Sequence, residues 1–247
     1  MDPDFLAALG PAPTFVPCPR CGRETASPKG VPCWDCQRAD EAKRDAEHAE
    51  RRLGIPPRFG WARFGGTELG ERVRILGRAG PVDLDVARRH ILSWAGPAVL
   101  FLGAAGTGKT SFAIACLRET AGPCCVSASA LERARIEHRA GDGEAPLVKR
   151  ALSARVLLID DLGQDKASNV SAVEAVVLAR HDANLTTWVT TGLTPEELES
   201  RYGAGVRRRL TEPGVGLVVR FGSPQARAED PRQGQLGQVT SPSREAS

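Results

Sequence analysis

Ala98-Val99-Leu100-Phe101-Leu102-Gly103-Ala104-Ala105-Gly106-Thr107-Gly108-Lys109-Thr110 is the stretch on which the fold of this chain turns. Its first five residues are apolar and end at a glycine, which predicts a buried strand; the pattern from Thr110 to Thr120 predicts a helix. Gly103 to Thr110 between them matches G-x-x-x-x-G-K-[ST], the loop that cradles phosphates at a strand-to-helix junction. Glycines let backbone N–H groups curl around a β-phosphate, and the helix N-terminus adds a positive dipole. The cradle comprises Gly103, Ala104, Ala105, Gly106, Thr107, Gly108, Lys109, Thr110 and Ser111. Lys109 suits the β- and γ-phosphates, and Thr110 suits Mg²⁺, so the ligand predicted is ATP with Mg²⁺.

Outward from this loop, Val156-Leu157-Leu158-Ile159-Asp160-Asp161 reads as a second buried strand, predicted at 156–159, that ends in two carboxylates. This is the Walker B pattern, with Asp160 a partner of the Mg²⁺ shell and Asp161 placed to orient or deprotonate a water. The bland alternative for Asp161 is a cap on the following loop. Adjacent carboxylates repel, which favours a bound cation. Further strands are predicted at 124–127, 188–191 and 216–221, with helices at 86–94, 131–139, 170–180 and 195–202. Alternation of this kind predicts an α/β fold on a parallel sheet.

Towards the N-terminus, Cys18-Pro-Arg-Cys21 and Cys33-Trp-Asp-Cys36 form two C-x-x-C knuckles separated by eleven residues. That spacing suits four-sulfur Zn²⁺, a closed structural site with no open position. Zinc would stand in for the core that so short a segment lacks. Trp34, Arg20, Arg23 and Lys29 suit single-stranded nucleic acid, with packing of Trp34 over the knuckle as the plain alternative. Residues 38–53 alternate in charge around alanines and predict an exposed connector helix. The expected organisation is a zinc-ribbon module at 1–37, the connector at 38–53, the α/β domain at 54–221 and a disordered tail at 222–247.

The combination of Gly54-Ile55-Pro56-Pro57-Arg58-Phe59, Gly106 to Thr110, Leu158-Ile159-Asp160-Asp161-Leu162-Gly163, and Thr190-Thr191-Gly192-Leu193 before an acidic helix resembles the DnaC/IstB-type AAA+ ATPases. The resemblance spans roughly residues 54–227. It implies a five-stranded parallel sheet, with the strand at 188–191 between the two motif strands, and little helical lid. It further implies an ATPase of DNA replication, a helicase loader that assembles on a replicative helicase and single-stranded DNA as a nucleotide-dependent homo-oligomer. A transposition helper acting with a transposase, or an ATP-binding module with little hydrolysis, are the alternatives.

Two departures bear on hydrolysis. Gly192 stands where such proteins carry a sensor Asn, so the expectation is either weak or partner-stimulated hydrolysis, or Thr190 or Thr191 in the Asn's place. The arginine motif is Gly205-Val206-Arg207-Arg208-Arg209-Leu210, in which Arg209 aligns best as a finger acting on a neighbouring subunit's nucleotide. A DNA-phosphate patch or a solvated face are the competing readings of Arg207 to Arg209. Arg227 is a weaker match to a family arginine.

Composition narrows the remaining classes. Thirty-three Lys and Arg against 30 Asp and Glu, a net charge of +3, does not by itself announce nucleic-acid binding. No apolar run nears the ~20 residues that a membrane helix needs, and Asp2 and Asp4 stand where a signal peptide would be basic, so a cytoplasmic protein without membrane contact is expected. Cys116, Cys124 and Cys125 lie in apolar segments and read as core. The four histidines form no ligand spacing.

Overall fold

The computed structural model describes residues 15–139, 141–164 and 172–222. Its contacts divide it into two compact units between Arg52 and Leu53. In the first unit, β1 (Val16–Pro17) and β2 (Glu24–Thr25) pair antiparallel and α1 (Trp34–Leu53) follows. This helix starts inside the second cysteine knuckle, four residues before the expected connector, with Asp35 in its first turn complementing the dipole. It buries none of its residues. Arg20 pairs with Asp40 and Arg23 with Asp35, so ion pairs tie α1 to the first knuckle.

The second unit contains α2 (Thr67–Arg72), β3 (Ile75–Gly77), β4 (Gly80–Val82), α3 (Leu84–Leu92), β5 (Ala98–Leu102), α4 (Lys109–Leu117) and β6 (Pro123–Ser127). It continues through α5 (Ala128–Glu137), α6 (Pro146–Ser153), β7 (Val156–Leu162), α7 (Ala172–Asp182), β8 (Thr186–Thr191), α8 (Pro195–Thr211) and β9 (Gly216–Phe221). One sheet runs β4-β3-β9-β5-β8-β7-β6. Its five strands β9, β5, β8, β7 and β6 are parallel, as expected, and β8 lies between the two motif strands. The hairpin β3–β4 adds two antiparallel strands beyond β9, so the sheet has seven.

Helices cover both faces, and residues alternate between them along each strand. On one face Leu100, Leu157, Ile159 and Val189 pack with Leu131, Val148, Val176, Leu198 and Leu210. On the other, Phe101, Leu158, Trp188 and Phe221 pack with Phe112, Ile114, Ile91 and Leu69. Phe101 meets Phe112, Trp188 and Phe221 with ring centroids 5.9 to 6.5 Å apart. Cys116, Cys124 and Cys125 are buried in these layers.

α8 opens with a capping box in which the Thr194 hydroxyl accepts from Glu197 N and the Glu197 carboxylate from Thr194 N, and Pro195 occupies the first turn. It runs well past Tyr202, but Gly203 interrupts it at φ 84°, ψ 161°, a backbone region essentially reserved for glycine. Among the described residues no helical lid follows β9. The tail from residue 223, with Arg227, lies outside the described residues, as does the start of the helix expected at 170–180.

Candidate functional site

The ends of β5, β7 and β8 converge on the phosphate loop. Gly106 (φ 78°) and Gly108 (φ 84°) are left-handed, and a Cβ on Gly108 would stand 2.7 Å from a Val73 methyl. Gly103 is pressed against β9, where a Cβ would meet the Phe221 carbonyl oxygen at 2.6 Å. The Thr107 hydroxyl donates to Ala104 O at 2.8 Å and fixes the turn. α4 starts at Lys109 with no side-chain cap, so its first N–H groups are left for an anion.

Lys109 Nζ donates to Ala104 O at 2.7 Å, folded across the loop. Burial lowers its pKa, opposed by the nearby Asp161 and Asp160. Thr110 Oγ1 and Thr190 Oγ1 each donate to the same Asp160 oxygen, both at 2.7 Å. One buried carboxylate therefore joins the phosphate-loop helix, the Walker B strand and the strand between them. Burial raises the Asp160 pKa, opposed by these two hydroxyls and reinforced by the Asp161 charge. Mg²⁺ is favoured by such a donor set, because a carboxylate oxygen and a hydroxyl at the head of the loop are hard ligands.

Asp161 owes its position to a bulge. The pairing of β7 with β8 shifts between Ile159↔Val189 and Leu162↔Thr191, so Asp160 and Asp161 share the span opposite Thr190. Asp161 adopts φ 55°, one of two described non-glycine residues with positive φ. Its N–H donates to Thr190 Oγ1 at 2.9 Å while its side chain is exposed in the site. The Thr191 hydroxyl donates to Leu162 O at 2.7 Å and accepts from Leu193 N at 3.0 Å, so it holds the loops after β7 and β8.

A cavity of about 710 Å³ opens beside the loop, within the usual size of small-ligand pockets. Ala105, Gly106, Gly108, Lys109, Thr110, Ser111 and Asp161 form one side of it. The other side is Arg58, Phe59, Trp61, Glu71 and Arg72, with the Arg72 guanidinium 4.5 Å from the centre of the Trp61 ring. Sequence reasoning missed Trp61, Glu71 and Arg72; an aromatic and charges just upstream of a P-loop strand carry no spacing signal.

Arg209 is brought against α7, not into this cavity. It reaches Asp182 at 3.3 Å and Gly205 O at 3.4 Å and is the least exposed of the three arginines. Arg207 pairs with Glu199 at 2.8 Å across the Gly203 break, and Arg208 with Glu212 at 3.7 Å.

In the first unit the sulfurs of Cys18, Cys21, Cys33 and Cys36 all lie within 4.8 Å of one another. Cys21 and Cys33 sulfurs are 3.7 Å apart, against roughly 3.8 Å for tetrahedral Zn–S bonds of about 2.3 Å and about 2.05 Å for a disulfide. Cys33 N donates to Cys18 Sγ at 3.2 Å. N–H groups of Cys33 and Cys21 lower the Cys18 pKa to about 6, while the Cys36 thiol, hydrogen-bonded to Cys33 and partly desolvated, is pushed up to about 12. One thiolate already stabilised among three close thiols fits a metal that deprotonates its ligands.

No protein-family model and no curated protein matches the sequence. Among solved structures the chain is similar to a crystal structure of the DnaC helicase loader, at 23% identity over 56% of this chain and 86% of that one, with a TM-score of 0.47. It is also similar to a crystal structure of DnaI, at 18% identity, 65% and 96% coverage and a TM-score of 0.47. A third is AMPPCP-bound DnaA from Aquifex aeolicus, at 19% identity, 56% and 44% coverage and a TM-score of 0.42. Among the described residues no helix is long and apolar enough to cross a membrane. By its own strand order, with β8 between the P-loop strand and the strand that carries Asp160, the second unit is an α/β P-loop domain on a five-stranded parallel core.

Proposed function

We propose that this chain is a P-loop ATPase of the DnaC/IstB type, an ATP-dependent DNA replication factor that loads a replicative helicase on single-stranded DNA. The observation that carries the nucleotide reading is the single Asp160 oxygen bonded by both Thr110 and Thr190. Gly103 to Ser111 cradle the phosphates, and Lys109 exchanges its bond to Ala104 O for the β- and γ-phosphates. Thr110 and Asp160 hold Mg²⁺, which supplies charge neutralisation at the phosphates. Asp161, exposed in the cavity, orients the attacking water. Thr190 keeps Asp160 and Asp161 in register. Thr191 acts through the Leu162 carbonyl rather than on the phosphate.

Arg209 serves a neighbouring copy's nucleotide once assembly draws it from Asp182, which makes turnover depend on oligomerisation. The Cys₄ unit holds structural Zn²⁺ and offers Trp34, 64% exposed with Arg38 stacked 4.3 Å from its ring centre, to the helicase. The helicase assignment itself rests on the motif combination in the sequence.

Two measurements test this. Lys109→Ala should abolish tight ATP binding in equilibrium titration, and retained affinity would remove the P-loop assignment. Asp161→Asn should slow hydrolysis and trap the ATP state, so that the tagged protein with ATP captures a hexameric helicase from its native extract. Capture of a transposase in its place moves the protein to transposition.

A further inference from the structure

A second chamber of about 300 Å³ lies beside the nucleotide cavity and shares two of its walls, Arg58 and Asp161. Pro56, Val126, Ala130 and Leu147 line it with apolar surface, and Arg150 enters it from α6. Arg58 sits on a short 3-10 turn set by Pro56 and Pro57, its guanidinium 4.8 Å from the Phe59 ring centre. Its charge acts on Asp160, and that of Arg150 on Cys125. Among the described residues neither arginine has an ion pair or a side-chain hydrogen bond. Gly54 (φ 80°) lines the chamber where the chain packs closely: a Cβ there would overlap the Cys125 carbonyl oxygen and come 3.3 Å from an Arg150 nitrogen.

Hydrolysis joins a water oxygen to the γ-phosphorus and breaks the bond from that phosphorus to the bridging oxygen, whose electron pair stays on ADP; the water's proton passes to solvent, and the products are ADP and orthophosphate. The orthophosphate then stands at the loop's mouth, where Asp161 repels it and Arg58 attracts it. We propose that the chamber formed by Arg58, Arg150 and Ser127 is a transit site for orthophosphate leaving the nucleotide, a role that rests on the ATPase reading above. Two unpaired guanidiniums supply fork-shaped donors for a tetrahedral anion. Asp160 and Asp161 in the same wall keep binding weak, which suits a leaving product more than a permanently held phosphodiester. Arg150 lines this chamber and not the nucleotide cavity, so it separates the two sites experimentally.

The test titrates potassium phosphate into the full chain loaded with Mg²⁺ and ADP, with binding followed by ³¹P line broadening against a potassium chloride control. Saturable binding is expected in the parent, weakened about tenfold in Arg150→Ala and less in Arg150→Lys, with ADP affinity unchanged in both. A parent that binds ADP but no phosphate overturns the transit site and leaves the nucleotide reading standing. A parent that binds no ADP overturns the nucleotide reading itself. Equal phosphate affinity in Arg150→Ala also overturns the proposal, as does displacement of phosphate by an oligothymidylate, which would make the site one for phosphodiesters.

Discussion

Arg180 is fully buried on α7 and meets no carboxylate among its bonded partners. It donates instead to Thr187 Oγ1 and to the carbonyls of Ala151, Ala154 and Thr186 at 2.6 to 3.0 Å. Ala151 and Ala154 lie at the C-terminal end of α6, so the cation also meets the negative end of that helix dipole. Burial lowers its pKa to about 10, and it stays charged at neutral pH. Arg180→Met should therefore lower the unfolding free energy by about 3 kcal/mol in urea titration, because buried carbonyls lose their donors. A loss below about 1 kcal/mol would mean that water or neighbours satisfy them. Thr190→Val, nearly isosteric, deletes the hydroxyl between Asp160 and Asp161 N. Turnover should fall at least about tenfold with ATP affinity changed far less, as expected for a group that positions the hydrolytic carboxylates. The P-loop and both aspartates were legible because their chemistry demands fixed residue types at fixed spacing. Thr190's bond to Asp160 was not, because it depends on strand order. Arg58 and Arg150, far apart in sequence, line one chamber only through the fold.

Elements were legible where they were long and apolar. All five parallel strands were expected near their observed bounds, but β7 runs three residues further, to Leu162, because the bulge carries the pairing past the aspartates. The β3–β4 hairpin was missed because each strand has three residues, with Gly77, Gly80 and Pro81 among them and no alternation to read. α8 was expected to stop at Tyr202, yet the chain resumes helix after one non-helical residue, Gly203. Gly203→Ala meets no atom within 4 Å, so its cost is backbone strain alone, about 1 to 3 kcal/mol. Thermal or urea unfolding should register that loss, and no loss would show that the two halves of α8 tolerate another angle. In the first unit, Cys33→Ser should lower bound zinc in elemental analysis, since it removes one sulfur of the four.

At the scale of the whole molecule, the two units have separate sources of stability. The P-loop unit has layered cores on both sheet faces, whereas the first buries mainly Cys18 and Cys33 among its described residues. Chelation of zinc should thus abolish one calorimetric transition and leave the nucleotide-stabilised one in place, shifted upward by ATP as binding to the folded state requires. A single transition sensitive to both ligands would contradict two independent units.

The position of β9 bears on how the site comes into being. Among the described residues the strand at Gly216–Phe221 is the last of the sheet in sequence, yet it is inserted between β3 and β5, and its Phe221 carbonyl backs Gly103 at the root of the phosphate loop. A ribosome delivers the chain from the N-terminus, so the loop and both aspartates emerge long before the strand that supports them. During that interval β5 lacks one flank and the aromatic cluster lacks Phe221. Until Phe221 has been synthesised, Gly103 therefore lacks the carbonyl and Phe112 lacks the ring that back them, and the loop between β5 and α4 stands without its support from β9.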